Sequence, residues 1–154
     1  MDFISYSEDY KEQVFPALVP EKYYKKYTNS SLFYKVLFIL GIFRNYLFLL
    51  RDANDKVLGS IALRRKPAVR QLRIEWFIYG VAINEEYRGK GYGSLLLSEA
   101  LAWCKEKGIK QIYLHVEADN ETAINLYLKK GFNIVEPSSS NMRDSHVVMS
   151  KFLK

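Results

Sequence analysis

The chain has 154 residues, 49% of them hydrophobic, enough for one compact domain that buries about two-thirds of its unfolded surface. No linker divides it, so a single domain over residues 1–154 is expected. Its 23 basic and 17 acidic residues give a net charge of +6, which suits a phosphate-rich partner such as a polyphosphate cofactor but is too diffuse to imply nucleic acid.

The single cysteine, Cys104, excludes a disulfide framework, and Met1-Asp2-Phe3-Ile4 begins no basic-then-apolar leader, so a reducing, cytoplasmic setting is expected. In chain order, Phe3 to Tyr6 reads as a first strand, and the stretches after Glu8 and from Tyr23 to Phe43 read as helices. Val36 to Leu50 is strongly apolar, yet Arg44 and Asn45 divide it into pieces shorter than the ~20 residues that span a bilayer. A buried helix followed by a strand over Tyr46 to Leu50 is expected there instead of a membrane span. The turn formers Arg51-Asp52-Ala53-Asn54-Asp55 lead into the β-rich stretch Val57 to Leu63, a hairpin signal. Leu72 to Ile83 has the Ile, Val, Tyr, Phe and Trp content of a central strand, which Asn84-Glu85-Glu86 breaks.

A glycine-rich turn follows. Tyr92 to Lys107 then carries Leu and Ala at helical spacing and stops at Gly108; Cys104, in register with Leu97 and Leu101, belongs to the apolar face of that helix. Gln111 to Glu117 reads as a strand. Asp119 or Asn120 caps a helix whose apolar positions Ala123, Ile124, Leu126 and Tyr127 precede a stop at Gly131. Phe132 to Val135 and His146 to Phe152 close the chain as strands, with Ser138-Ser139-Ser140-Asn141 in a loop between them.

The segment Arg88-Gly89-Lys90-Gly91-Tyr92-Gly93-Ser94 lies between a strong strand and a strong helix. The first N–H groups of a helix have no internal acceptor and carry the positive end of its dipole, so they bind phosphate oxygens. Glycines let a diphosphate approach the backbone, and Arg88 and Lys90 add charge; a flexible basic turn is the plainer alternative. A P-loop is excluded because Gly93 is followed directly by Ser94 with no lysine between. A dinucleotide fingerprint is excluded because Ser94 stands where its third glycine belongs.

Arg88-Gly89-Lys90-Gly91-Tyr92-Gly93 resembles the Arg/Gln-x-x-Gly-x-Gly/Ala loop of the GNAT superfamily of N-acetyltransferases. Asn120-Glu121-Thr122-Ala123-Ile124-Asn125-Leu126-Tyr127-Leu128-Lys129-Lys130-Gly131-Phe132 is similar to that family's Asn-x-x-Ala-x-x-Leu-Tyr-x-x-x-Gly-Phe segment, in the same order and at the same distance. The resemblance covers Leu72 to Val135 well and the first helices only in their order. It implies an α/β fold: a mixed, mostly antiparallel central sheet flanked by helices, with two parallel strands, ending here at Ile83 and Glu117, splayed to form the acyl-CoA cleft.

It also implies acetyl-CoA as the co-substrate, with Arg88, Gly89, Lys90, Gly91, Tyr92, Gly93 and Ser94 on the pyrophosphate. The main chain of Val81, Ala82 and Ile83 would lie along the pantetheine arm, with Val81 and Ile83 pairing to it like an added strand and N–H groups of this strand at the thioester oxygen. Asn120 would reach the pantetheine amides, cap the helix that continues through Ala123, or do both. Tyr127 stands where many relatives have a general acid for the departing thiolate; its phenol can also simply hydrogen-bond the sulfur, or pack in the core.

An amine attacks a thioester only as the free base, so the site must take up a proton. The candidates are His115, Glu75, Glu117 and a water chain ending at backbone carbonyls. His115 falls where ribosomal-protein N-terminal acetyltransferases carry a glutamate, and Phe77 falls where histone-type relatives have their base. Imidazole, with its ordinary pKa near ~6.5, suits the task. Glu75 shares a strand face with Phe77 and Tyr79 by two-residue alternation. With only His115, His146 and one cysteine, the chain has no metal-ligand spacing, and none is expected.

The expected reaction is acetyl transfer in a ternary complex to a primary amine, most simply a small molecule. A protein lysine or N-terminus as acceptor and a non-catalytic acyl-CoA-binding module are the alternatives. Leu32 to Phe43 suits a closed pocket or a homodimer contact, the family often being dimeric. Arg64, Arg65, Lys66, Arg70 and Arg73 form a basic cluster placed around a hairpin; it would face solvent, an acidic acceptor or the 3′-phosphate of the cofactor.

Overall fold

The computed structural model describes residues 1–5, 44–68, 73–135 and 146–154. The helices expected after Glu8 and over Tyr23 to Phe43, the serine-rich loop, Arg70 and Leu72 lie outside the described residues. Those described build a seven-stranded sheet in the order β1-β2-β3-β4-β5-β7-β6. The strands are β1 (Asp2–Ser5), β2 (Arg44–Arg51), β3 (Val57–Ala68), β4 (Arg73–Ile83), β5 (Gln111–Glu117), β6 (Asn133–Val135) and β7 (His146–Phe152). Among the described residues two α-helices accompany it, α1 (Tyr92–Glu106) and α2 (Glu121–Lys129). Among the described strands only β4 and β5 are parallel neighbours; every other pair is antiparallel. This is the mixed, mostly antiparallel sheet with flanking helices that the sequence led us to expect.

The β2–β3 hairpin closes on Asp52, whose Oδ1 accepts from the backbone N–H of Asn54 at 2.8 Å and of Lys56 at 3.0 Å. Strand β3 runs five residues past the expected stop at Leu63. Arg64 and Lys66 therefore lie inside the strand and not in a turn. Their charged ends sit over aromatic rings of β4: the Arg64 guanidinium lies 3.9 Å from the Tyr79 centroid and the Lys66 ammonium 3.9 Å from that of Phe77.

Helix α1 buries Leu96, Leu97, Ala100, Leu101 and Cys104 along one stripe. Trp103 carries that face onto the sheet, with ring centroids 5.0 Å from Tyr46, 5.1 Å from Phe48 and 6.0 Å from Trp76. Burying each large apolar side chain there contributes about 1.5–3 kcal/mol. The helix ends as its glycine predicts: Gly108 has φ +69°, and Ile109 donates back to the Cys104 carbonyl at 3.0 Å. Because Trp76 faces α1, alternation puts Glu75 and Phe77 on the opposite face of the sheet.

One irregularity shapes the site. The β3–β4 register passes from Ala62↔Gly80 to Leu63↔Ile78, leaving Tyr79 as an extra residue on β4. Such a bulge bends its strand and strengthens its twist. Pairing between β4 and β5 covers Trp76↔Ile112, Phe77↔Tyr113 and Ile78↔Leu114, and ends where the bulge begins. Beyond it the two parallel strands part.

Candidate active site

The split has two arms, Tyr79–Ile83 on β4 and His115–Glu117 on β5, meeting at the Ile78↔Leu114 pair. On the first arm the peptide groups alternate between β3 and the gap. Asn84 donates to the Leu58 carbonyl at 2.9 Å, so residues 82 and 84 turn to β3 and residues 81 and 83 turn to the gap. The Ile83 carbonyl does point that way, since it accepts from Arg88 Nε at 3.2 Å. Val81 and Ile83 thus present a strand edge that no other described strand pairs, with the Ile83 carbonyl held by Arg88.

Gly59 makes this arm possible. A Cβ there would stand 2.7 Å from the carbonyl oxygen of Ala82, so only glycine lets β3 come this close to the end of β4. A glycine inside the β-rich stretch was the signal for this role, and it went unread in the sequence.

From Ile83 the chain passes through a single 3₁₀ turn, Glu85–Tyr87, to the glycine loop. Gly89 and Gly91 have φ +76° and +83°, and a Cβ on either would have no atom within 4 Å. Glycine at these two positions is therefore demanded by backbone conformation, and the space above them is open. Gly91 is the N-cap of α1 and has no side chain to cap it; the first intrahelical bond is Leu95 N–H to the Gly91 carbonyl at 3.1 Å. The N–H groups of Tyr92, Gly93 and Ser94 are left at the positive end of a 15-residue helix.

Tyr87, which the sequence reading passed over, organises this loop. The Lys90 ammonium lies 5.3 Å from its ring centroid and Tyr92 meets it edge-on at 6.2 Å. At Gly93 three elements converge, where a Cβ would lie 3.7 Å from both Ile83 of β4 and Leu126 of α2.

Helix α2 begins on Asn120, whose Oδ1 accepts from Ala123 N–H at 3.1 Å. The cap uses the oxygen and leaves the amide NH₂ as a donor. Tyr127 is buried, 7% exposed, and packs edge-on against Phe132 with centroids 5.8 Å apart. Burial raises its phenol above the ordinary value of 10, so it carries its proton at neutral pH. Phe132 N–H closes the helix on the Tyr127 carbonyl at 3.0 Å, and Lys130 Nζ ties it to Ser98 Oγ of α1 at 2.6 Å.

At the point where the arms meet, His115 is the first residue of β5 past the paired section. Its imidazole lies on Phe77, centroids 5.5 Å apart and planes 12° from parallel. The ring is open at its edge, but Phe77 keeps water from one face. That desolvation, together with the charges of Lys66 and His146, holds the imidazole below its ordinary value of 6.5. Strand β5 is regular against β7, so Glu117 follows on the same face as His115.

Glu75 stands farther back, beyond the closed end of the split, and accepts from Arg73 Nη2 at 2.9 Å and Nε at 3.2 Å. Cys104 is fully buried, its thiol pushed up to about 12 by burial. No helix among the described residues is long and apolar enough to cross a membrane, and no group of three His, Cys, Asp or Glu side chains among them could hold a metal ion.

A sequence model of the acetyltransferase (GNAT) family matches residues 8–132. Among characterised proteins, N-alpha-acetyltransferase 50 of Danio rerio is 28% identical over 141 residues, covering 88% of this chain and 74% of that protein. Mycothiol acetyltransferase of Corynebacterium aurimucosum is 44% identical over 59 residues, 38% of this chain and only 19% of that protein, so the chain spans about a fifth of this relative. Among solved structures, Arabidopsis thaliana Naa50 in complex with the bisubstrate analogue CoA-Ac-MVNAL superposes with a TM-score of 0.61 at 27% identity, covering 97% of each chain.

Proposed function

Because the chain belongs to the acetyltransferase (GNAT) family, we propose that it transfers the acetyl group of acetyl-CoA to a primary amine, with a small molecule as acceptor. The observation that carries the acetyl-transfer part of this reading is the split between β4 and β5, with a strand edge that no other described strand pairs on one arm and uncapped helix N–H groups just beyond it.

The residues present fit the cofactor. The open space over Gly89 and Gly91 admits a diphosphate, which the N–H groups of Tyr92, Gly93 and Ser94 would hold with Arg88 and Lys90. Val81 and Ile83 offer main-chain groups to an extended amide arm, as a sheet edge does to an added strand, and the NH₂ of Asn120 adds a donor. When bound, acetyl-CoA supplies an activated thioester.

The chain's own groups do the rest. Its N–H groups along β4 stabilise negative charge developing on the acyl oxygen. His115, neutral near pH 7, accepts the proton of the incoming amine directly or through water. Tyr127, protonated and buried beside the loop, gives a proton to the departing sulfur. Glu75 is engaged by Arg73, which supports His115 over it as the base.

A protein N-terminus is the second reading, favoured by the 28% identity with N-alpha-acetyltransferase 50 over most of the chain. The two separate in a thiol-release assay with acetyl-CoA and a panel of small amines beside short peptides with free N-termini. Release with small amines supports the first reading. Release with peptides alone transfers the proposal to the second, and release with neither overturns both.

A further inference from the structure

Two cations on β3 are unused by the mechanism. Arg64 and Lys66 lie on the sheet face opposite α1, the face that carries Phe77 and His115. Both are half-buried against aromatic rings. Lys66 stands across the strands from Glu75, whose charge attracts it, but Glu75 is bound by Arg73, and among the described residues no carboxylate forms a salt bridge with the Lys66 ammonium.

The position of Lys66 excludes the loop-bound diphosphate as its partner. Lys66 is opposite Glu75, whereas the phosphate loop follows Ile83, which is opposite Gly59. At ~3.3 Å per residue the two sites are roughly 25 Å apart along the strand. The gap opens toward Ile83, so the cofactor would enter from that end and Lys66 lies behind the closed end, on the acceptor's side. Phe77 links the two: its ring carries the Lys66 ammonium at 3.9 Å and the His115 imidazole at 5.5 Å. One small molecule can reach both.

Resting on the acetyltransferase reading, we propose that the acceptor is a primary amine that also bears a carboxylate, its amine at His115 and its carboxylate on Lys66. A half-buried ammonium in no salt bridge with a described carboxylate gains from an anion brought into a partly dehydrated site, because burial disfavours its isolated charge. The same charge repels an acceptor that carries only positive charge, such as a polyamine.

The test is a panel of free amino acids, including β-alanine and 4-aminobutyrate, each compared with its C-terminal amide and with spermidine as the all-cationic control. The acid forms should exceed their amides in kcat/KM by about tenfold or more, the size of a charge-assisted bond. Lys66→Gln should collapse that ratio, and Lys66→Arg should restore most of it, which separates loss of charge from loss of fold. Amides that equal or exceed their acids overturn the inference, as does a preference that survives Lys66→Gln or a panel with no acetylated member. Acetyl-CoA binding, titrated separately on the same protein, decides whether the acetyltransferase reading falls with it.

Discussion

The imidazole of His115 lies flat on the ring of Phe77, 5.5 Å between centroids and 12° from parallel, at the point where β4 and β5 part. A base held below its ordinary pKa of 6.5 stays neutral to lower pH, so its acid limb in kcat/KM falls below 6.5. Burial is the leading cause, and the charges of Lys66 and His146 add to it; the Arg73–Glu75 pair and Glu117 share the face. Lys66→Gln should therefore move the limb upward. Comparing variants on one acceptor removes that amine's own titration, and a limb that persists in His115→Ala rejects His115 as the base.

Tyr127→Phe removes only a hydroxyl to which no described residue is bonded. The ring contact with Phe132 survives, so the melting temperature should hold within a few degrees. Loss of a proton donor to the leaving sulfur should lower kcat by about 10²-fold while the KM for acetyl-CoA changes little. An unchanged kcat would make Tyr127 a packing residue.

Gly59→Ala tests the cofactor arm from outside the glycine loop. Its new Cβ would meet the Ala82 carbonyl at 2.7 Å, and a backbone atom cannot turn aside. We expect a loss of about 1–3 kcal/mol in denaturant unfolding and weaker acetyl-CoA binding, because the displaced segment carries Val81 and Ile83. Destabilisation with full binding would show that the arm does not hold the cofactor.

Cys104 should be inert. Its thiol is fully buried and pushed up to about 12, so almost no thiolate exists at pH 8. Iodoacetamide should leave the folded protein unlabelled by mass spectrometry and label it only in denaturant. Labelling of the folded protein would contradict the packing described.

Much of this was legible in the sequence because local rules dominate where it was clear. Gly108 and Gly131 stop helices through their positive φ, Asn120 caps one through Oδ1, and the Leu97–Leu101–Cys104 stripe names its own buried face. The splay of the strands ending at Ile83 and Glu117 was expected only from resemblance. Its physical origin, the extra residue Tyr79, depends on pairing with β3 and leaves no mark in composition.

The same holds for Lys66 and Arg64. Charged residues at the end of an apolar run look like a turn, and only cross-strand rings made them strand positions. Tyr87 was missed because a single tyrosine in a short 3₁₀ turn carries no periodic signal. Gly59 was the readable omission, since glycine within a strand already announces a close backbone approach.

The central claim is that the loop from Arg88 to Ser94 holds acetyl-CoA, and calorimetric titration tests it most directly with wild type, Gly91→Glu and Gly108→Glu. Both glycines have positive φ and open space at Cβ, so both variants carry a similar backbone strain of about 1–3 kcal/mol. Only Gly91→Glu puts bulk and negative charge in front of the α1 N–H groups. The account predicts wild-type binding in the roughly micromolar range, retained in Gly108→Glu and lost in Gly91→Glu; no binding by folded wild type, or equal binding by all three proteins, would contradict it.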